Sequence, residues 1–306
     1  MTNGTDLAEL LTTTWQQQAD IGFLLAPPDQ AGVEERAVHD DISGVDFRFR
    51  WMPHRELRTD TAGLEERGIL NPDRDEDALF RDPRDPSGRH CFLCRDNIAE
   101  CHPLEELIPL RLAGRDYLAG ANFAWIELNH YTVMSAEHVD QRFSPDVLAA
   151  MVELHQRTGG EFRVLYNAAE AGATIPWHLH FQITTELLPV ERLEEGPESK
   201  YPTSLQRFTV TDGDTAKALD AIAVWEGRDP DNHRVNVLVA GPVELPVVHV
   251  FARDRRRTHS PVKGLMGGFE MCGDLVYSEP DKRDEFESAS AKLARRALED
   301  VRPDGA

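Results

Sequence analysis

Apolar positions recur along most of this chain at one of two periods, and the periods divide it into helices and strands. Leu7, Leu10, Leu11, Trp15 and Ile21 are spaced for one face of a helix over 7–25, which Pro27 and Pro28 stop. Residues 45–51 alternate strictly. Val45, Phe47, Phe49 and Trp51 point one way and Arg48 and Arg50 the other, as in a half-buried strand. The acidic, proline-bearing stretch 60–88 follows neither period and reads as a long surface loop with at most one helical turn. Strands follow at 117–128 and 131–135. Ser144-Pro145 then opens a helix through Leu148, Met151, Val152 and Leu154, with serine as its cap and Gly159-Gly160 as its stop. A strand over 161–166 and a small-residue loop over 167–174 lead to residues 177–184.

That last stretch, WHLHFQIT, organises the rest. Read as a strand, it sends Leu179, Phe181 and Ile183 to one face and His178, His180 and Gln182 to the other. Three polar groups in register are expensive to bury without a task, and solvent-facing histidines are the plainer account. Beyond it, 204–210, 235–239, 247–252 and 268–277 read as strands, and 215–225 and 281–301 as helices. Strands mixed with a few helices imply an α+β fold. Similar strand–helix–strand runs on both sides suggest a duplication, with residues 1–40 as a helix and linker, 41–195 as a first half and 196–306 as a second.

Composition narrows the function. A net charge of −21 over 306 residues argues against a general nucleic-acid binder and against binding to anionic membranes. A small phosphorylated ligand needs only a locally positive pocket. No run has the length of a membrane span and the first residues lack a leader's pattern, so a soluble cytoplasmic protein is expected. Three of the four cysteines cluster at Cys91, Cys94 and Cys101, which suits a metal site better than a disulfide framework. Cys91-Phe92-Leu93-Cys94 can present two thiolates to one tetrahedral ion. Closure could be local, through Cys101 and His102, or distal, through His138 and His178; two free buried thiols are the third reading.

His178-Leu179-His180-Phe181-Gln182 resembles the HxHxQ signature of the transferase branch of the histidine-triad superfamily. The form HLHFQ and the following LLPVE are similar to GDP-hexose phosphorylases. CFLCRDN, the 117–126 stretch and Ser135-Ala136-Glu137-His138 resemble galactose-1-phosphate uridylyltransferase, and the blocks agree in order over roughly residues 40–280. The departures from the uridylyltransferases are Leu179 and Phe181, where they prefer proline and glycine, and Ala121, where they place asparagine. The resemblance implies a duplicated fold with an open, mostly antiparallel sheet flanked by helices, and a structural zinc ion on Cys91, Cys94, His138 and His178. It also implies His180 as nucleophile with Gln182 as its partner.

The chemistry follows from the residue types. A neutral His180 can attack the α-phosphorus of a nucleotide and form a covalent nucleotidyl-histidine. Gln182 can donate to phosphoryl oxygens but cannot act as an acid, which favours phosphorylated leaving groups and acceptors. Arg253, Arg50, Arg55, Asn122 and Asn167 are the candidate substrate contacts, with solvated arginines and a plain tight turn at Gly267-Gly268 as competing accounts. The expected reaction moves a nucleoside monophosphate from a nucleotide sugar or triphosphate to an acceptor such as a sugar 1-phosphate. A GDP-hexose or dinucleoside polyphosphate phosphorylase is the alternative, and a non-catalytic nucleotide-binding protein a further one. A homodimer is allowed but not required, because two half-domains can complete the site.

Overall fold

The alternating stretches pair into one large antiparallel sheet and one small mixed sheet in a computed structural model that describes residues 4–73, 91–194, 196, 200–211 and 215–305. Helix α1 (Gly4–Asp20) leads into the hairpin β1 (Glu34–Asp40) and β2 (Val45–Trp51). Helices α2 (Thr61–Glu66) and α3 (Arg95–Cys101) follow, then β3 (Leu107–Leu112), β4 (Arg115–Ala121) and β5 (Tyr131–Ser135). Helix α4 (Pro145–Arg157) precedes β6 (Arg163–Asn167) and β7 (His180–Thr184). After β8 (Leu205–Thr209), α5 (Ala216–Arg228), β9 (His233–Ala240) and β10 (Val247–Asp254), a short hairpin forms from β11 (His259–Ser260) and β12 (Gly264–Leu265). The single turn α6 (Gly268–Met271), β13 (Asp274–Tyr277), α7 (Arg283–Glu287) and α8 (Ala291–Asp300) finish the chain.

The large sheet has the order β3-β4-β5-β7-β6-β9-β10-β8 and is antiparallel throughout. The fold is therefore α+β, an open antiparallel sheet flanked by helices. One sheet face, carrying Phe181, Ile183, Tyr166 and Val237, packs into a core with α1, α4 and α5. The other face presents Leu165, Leu238 and Phe251 to a second core, where Phe47 and Phe49 of β2 meet Ala294 and Leu298 of α8. In the small sheet, β2 pairs antiparallel with β1 and parallel with β13. This second layer leaves a cleft over the ends of β4, β5 and β7.

Several elements differ from the sequence expectation. Helix α1 stops at Asp20, well before the prolines, because Gly22 takes φ 81° and Phe23 N–H bonds back to the Gln18 carbonyl (3.0 Å). Ile21 therefore lies beyond the helix, and Leu10, within it, stands off the face that buries Leu7, Leu11 and Trp15; the two are 55% and 47% exposed. The strand expected over 117–128 ends at Ala121. The stretch 268–277 splits into the turn α6 and strand β13 around Gly273 (φ 90°), and the helix over 281–301 breaks before Ser290, which caps α8 through Leu293 N–H (3.3 Å). Strands β1 and β3 escape the pattern: β1, inside the supposed linker, is charged and mostly exposed, and β3 carries Pro109, which an edge strand tolerates. Much of the loop expected over 60–88 lies outside the described residues; its first turn is α2.

Arg48 and Arg50 do point away from the apolar face of β2, but toward neither solvent nor cleft. They form a buried quartet with Glu127 and Asp274: Arg48 donates to both carboxylates, and Arg50 reaches Asp274 through Nε (3.0 Å) and Glu127 through Nη1 and Nη2 (2.9 and 2.8 Å). Two positive and two negative charges cancel there, which is what makes their burial tolerable.

Candidate active site and metal centre

The tight turn at the start of α3 sets the first two ligands. Cys94 N–H bonds the Cys91 carbonyl (3.0 Å) and Asn97 Nδ2 donates to the same oxygen (3.0 Å), which leaves the sulfurs 3.5 Å apart. His138 Nδ1 lies 3.5 and 3.3 Å from the two sulfurs, and His178 Nδ1 3.0 and 3.8 Å. All four ligand atoms fall within 4.8 Å of one another. A tetrahedral ion with bonds of about 2.3 Å to sulfur and 2.0 Å to nitrogen needs separations of about 3.3–3.8 Å, so the donors stand within a few tenths of that geometry.

The protonation pattern fits as well. His178 Nε2 donates to the Ser135 carbonyl (2.8 Å), which leaves the Nδ1 lone pair facing the sulfurs. A hydrogen bond from Cys91 holds the Cys94 thiol well below the ordinary thiol range, and the same bond and burial push Cys91 up. Four protein ligands leave no open position, so a zinc-class ion here would brace the chain rather than meet substrate. Cys101 and His102, the local alternative, stand outside the cluster: His102 packs edge-on against Phe92 and Phe123 with centroids 5.0 and 5.1 Å away.

Next to this centre the cleft opens, with a volume of about 830 Å³, and His180 and Gln182 lie along one wall. His178 precedes strand β7 instead of belonging to it, so the two histidines are related by more than alternation. The His180 Nδ1–H donates to the His178 carbonyl (2.8 Å), and the Nε2 lone pair is left on the cleft side. Burial brings the His180 pKa down to about 4 despite the opposing bond to the His178 carbonyl, so the ring is neutral at pH 7. Residue 178 thus serves both centres: its side chain faces the sulfurs and its carbonyl orients the next histidine. The His180 backbone is clamped by Gln141, whose Oε1 accepts from His180 N–H (2.7 Å) while its Nε2 donates to the carbonyls of His180 (2.9 Å) and Asn167 (2.7 Å). Nothing in the sequence pattern singled out Gln141.

His130 was also missed. It is fully buried at the cleft wall, and its Nδ1 accepts from Ile126 N–H (3.0 Å), so its proton resides on Nε2, on the side of Gln182. Burial and the charge of Arg55 bring its pKa down to about 3. An isolated His-Tyr pair before a strand carried no periodic signal.

The expected substrate contacts divide. Arg55 lines the cleft, donates to the Ala124 carbonyl, and has no carboxylate within ion-pair distance among the described residues. Burial, then the charge of Arg58, lowers its pKa to about 9, still protonated at pH 7. Asn167 lines the cleft, with its Oδ1 accepting from Asn236 Nδ2 (2.6 Å). Asn122 lines it too; its Oδ1 accepts from Ala124 N–H (3.1 Å) and its Nδ2 reaches Thr132 Oγ1 (3.4 Å). Arg50 and Arg253 are not in the cleft wall. Arg50 is consumed by the quartet. Arg253 is buried behind the wall, where it donates to Asn236 Oδ1 and the Met266 carbonyl (2.8 Å), and its geometry supports the loop at 171–172. That loop approaches Gly267 so closely that a Cβ on Gly172, whose φ is 106°, would stand 2.6 Å from Gly267 Cα. The exposed Arg255, Arg256 and Arg257 pair with Glu170, Asp254 and Asp304.

Comparison with known proteins agrees with this geometry at the level of the fold. Residues 51–185 match a family described as a domain of unknown function (DUF4922). No curated protein matches the chain. Solved structures do. Yeast Ap4A phosphorylase Apa2 superposes with a TM-score of 0.58 at 14% identity, covering 98% of this chain and 96% of that one. Apa2 in complex with Ap4A gives 0.59 at 14% identity, with 97% of each chain covered, and Apa2 in complex with AMP gives 0.55 at 14%, covering 100% and 99%. The shared feature is the large open sheet with its flanking helices. No helix among the described residues is long and apolar enough to cross a membrane.

Proposed function

We propose that the protein is a nucleotide phosphorylase that moves a nucleoside monophosphate through His180, from a dinucleoside polyphosphate or a GDP-hexose to inorganic phosphate. The observation that carries this reading is the neutral His180 ring, tied at Nδ1 to the His178 carbonyl, with its free nitrogen on a nucleotide-sized cleft beside Gln182. The whole-chain likeness to a phosphorylase supports phosphate as the acceptor over the sugar 1-phosphate first expected.

In the first step His180 Nε2 attacks the α-phosphorus; the P–N bond forms as the bond to the oxygen of the leaving nucleoside polyphosphate or sugar phosphate breaks. The leaving oxyanion needs little protonation. Charge that develops on the imidazole is stabilised by the Nδ1–H bond to the His178 carbonyl. Gln182 donates to the phosphoryl oxygens, and Arg55 supplies positive charge, the other cations of the wall, Arg58, Lys263 and Lys282, being paired with Glu279, Glu270 and Glu285. In the second step a phosphate oxygen attacks the same phosphorus, the P–N bond breaks, and a nucleoside diphosphate departs. A zinc ion on Cys91, Cys94, His138 and His178 would fix the segment that carries the His178 carbonyl. A reducing cytoplasmic setting suits these free thiols, and two half-domains meeting where β6 pairs with β9 suit one site per chain.

Intact-protein mass spectrometry after incubation with Ap4A, a GDP-hexose and a UDP-hexose tests the reading. A nucleoside monophosphate adduct that disappears on adding phosphate, with release of a nucleoside diphosphate, is expected; loss of the adduct only with a sugar 1-phosphate would favour the transferase. Equal turnover by wild type and His180→Gly, with no adduct, would remove the nucleophile.

A further inference from the structure

Much of the cleft wall is apolar, with Leu64, Leu70, Phe92, Leu93, Ile98 and Phe123 among its residues, and yet it also holds a buried carboxyl group. Glu105, in the turn between α3 and β3, lines the cleft with a side chain 6% exposed. Among the described residues no arginine or lysine pairs with it; its ion-pair neighbour is His102, with Nδ1 3.5 Å from Oε2. The chain makes room for this group deliberately. A Cβ on Gly120 would come within 1.9 Å of Glu105 Oε1, so strand β4 keeps a glycine where the carboxyl lies against it. Burial alone raises the Glu105 pKa to about 8, which marks an acid whose charge the surrounding protein does not neutralise. A buried carboxyl of this kind is costly in the folded state unless donors from elsewhere complete it.

We propose that Glu105 reads the base of the bound nucleotide and makes the site selective for guanine. The argument is one of complementarity. With its proton lost, the carboxyl offers two acceptors side by side and no donor, and a ligand that brings two donors favours that ionised form. Guanine offers two adjacent donors, N1–H and the N2 amino group, on its Watson–Crick edge. Adenine and cytosine place a ring acceptor beside their amino group, and uracil flanks its single N–H with two carbonyls, so each brings a lone pair against a carboxylate oxygen. The apolar side chains of the wall suit the faces of a base, and the same cleft carries His180 and Arg55 for the phosphates. This assignment rests on the nucleotidyl-transfer reading only in taking the ligand to be a nucleotide.

The test is calorimetric titration of wild type, Glu105→Gln and Glu105→Leu with GMP, AMP, CMP and UMP. Wild type is expected to bind GMP at least about tenfold more tightly than the other three, because a site built for two donors leaves buried acceptors unpaired with any other base. Glu105→Gln, with one acceptor replaced by a donor, is expected to lose that preference; Glu105→Leu should lose it too, and both should melt no lower than wild type, since each removes a buried acid. AMP or UMP binding as tightly as GMP to wild type would overturn the assignment, as would a GMP preference that survives Glu105→Gln. His180→Gly separates the two readings. If it keeps the GMP preference while wild type forms no covalent adduct, the base assignment stands and the nucleophile fails; an adduct from every nucleotide donor with no base preference gives the reverse.

Discussion

Arg55→Met is expected to move stability and binding in opposite directions. The guanidinium faces the cleft with no carboxylate partner among the described residues, and burial lowers its pKa from 12.5 to about 9. For a side chain with no access to water that depression would be worth roughly 5 kcal/mol; contact with cleft water reduces the expectation to about 1–2 kcal/mol. The sign is that of a depressed base. The charged form is disfavoured in the folded protein, so the penalty is present at neutral pH and is relieved only as pH rises past about 9. Methionine fills a similar volume without the charge, so the ligand-free variant should be about 1–2 kcal/mol more stable in urea denaturation. Binding should suffer. A phosphate about 4 Å from the guanidinium, at an effective dielectric of about 20, gains roughly 4 kcal/mol, of which about 2–3 should survive residual solvation. Calorimetry should then show nucleotide affinity falling roughly 30- to 150-fold, with unchanged affinity for the nucleoside that lacks phosphate. A variant that is less stable than wild type and binds nucleotide as tightly would refute the assignment of Arg55 as the phosphate's counter-charge.

Asp274→Asn removes one of two carboxylates facing Arg48 and Arg50 and leaves a net charge buried between the sheets; denaturant titration should show a loss of about 3–5 kcal/mol, and a loss below about 1 would mean the quartet is solvated. The rate of adduct formation should stay level from pH 8 down to about 5 and fall as pH drops through about 4, because burial keeps His180 neutral until then; an inflection near 6.5 would contradict this. Metal analysis should find one ion per chain, lost on Cys94→Ser and on His138→Ala but retained on Cys101→Ser, with an accompanying fall in thermal stability. Loss on Cys101→Ser alone would return the ion to the local loop.

Period-two alternation is local, and it made β2, β5 and most of β7 legible, together with the helix from Pro145 and its serine cap. The paired polarity of His178, His180 and Gln182 was legible for the same reason. The CxxC turn was equally visible, because two thiols three residues apart constrain each other whatever the rest of the chain does. The partners were not. Whether Cys101 and His102 or His138 and His178 stand beside Cys91 and Cys94 depends on how the turn at the start of α3 packs against β4, β5 and the segment before β7, and spacing along the chain carries no record of that. Arg50 and Arg253 looked like substrate contacts because an arginine in a strand has the same local pattern whether it meets phosphate, solvent or a buried carboxylate. Asp274, Glu127, Asn236 and Met266, all distant in sequence, decided that both are spent inside the protein. Gln141, His130 and Glu105 lie in loops where no period exists to be broken, so only the tertiary structure brings them to the cleft. The sequence determined which residues alternate, cap and turn; burial and the satisfaction of polar groups by distant partners, which are properties of the packed chain, decided which of those residues remain free to meet a ligand.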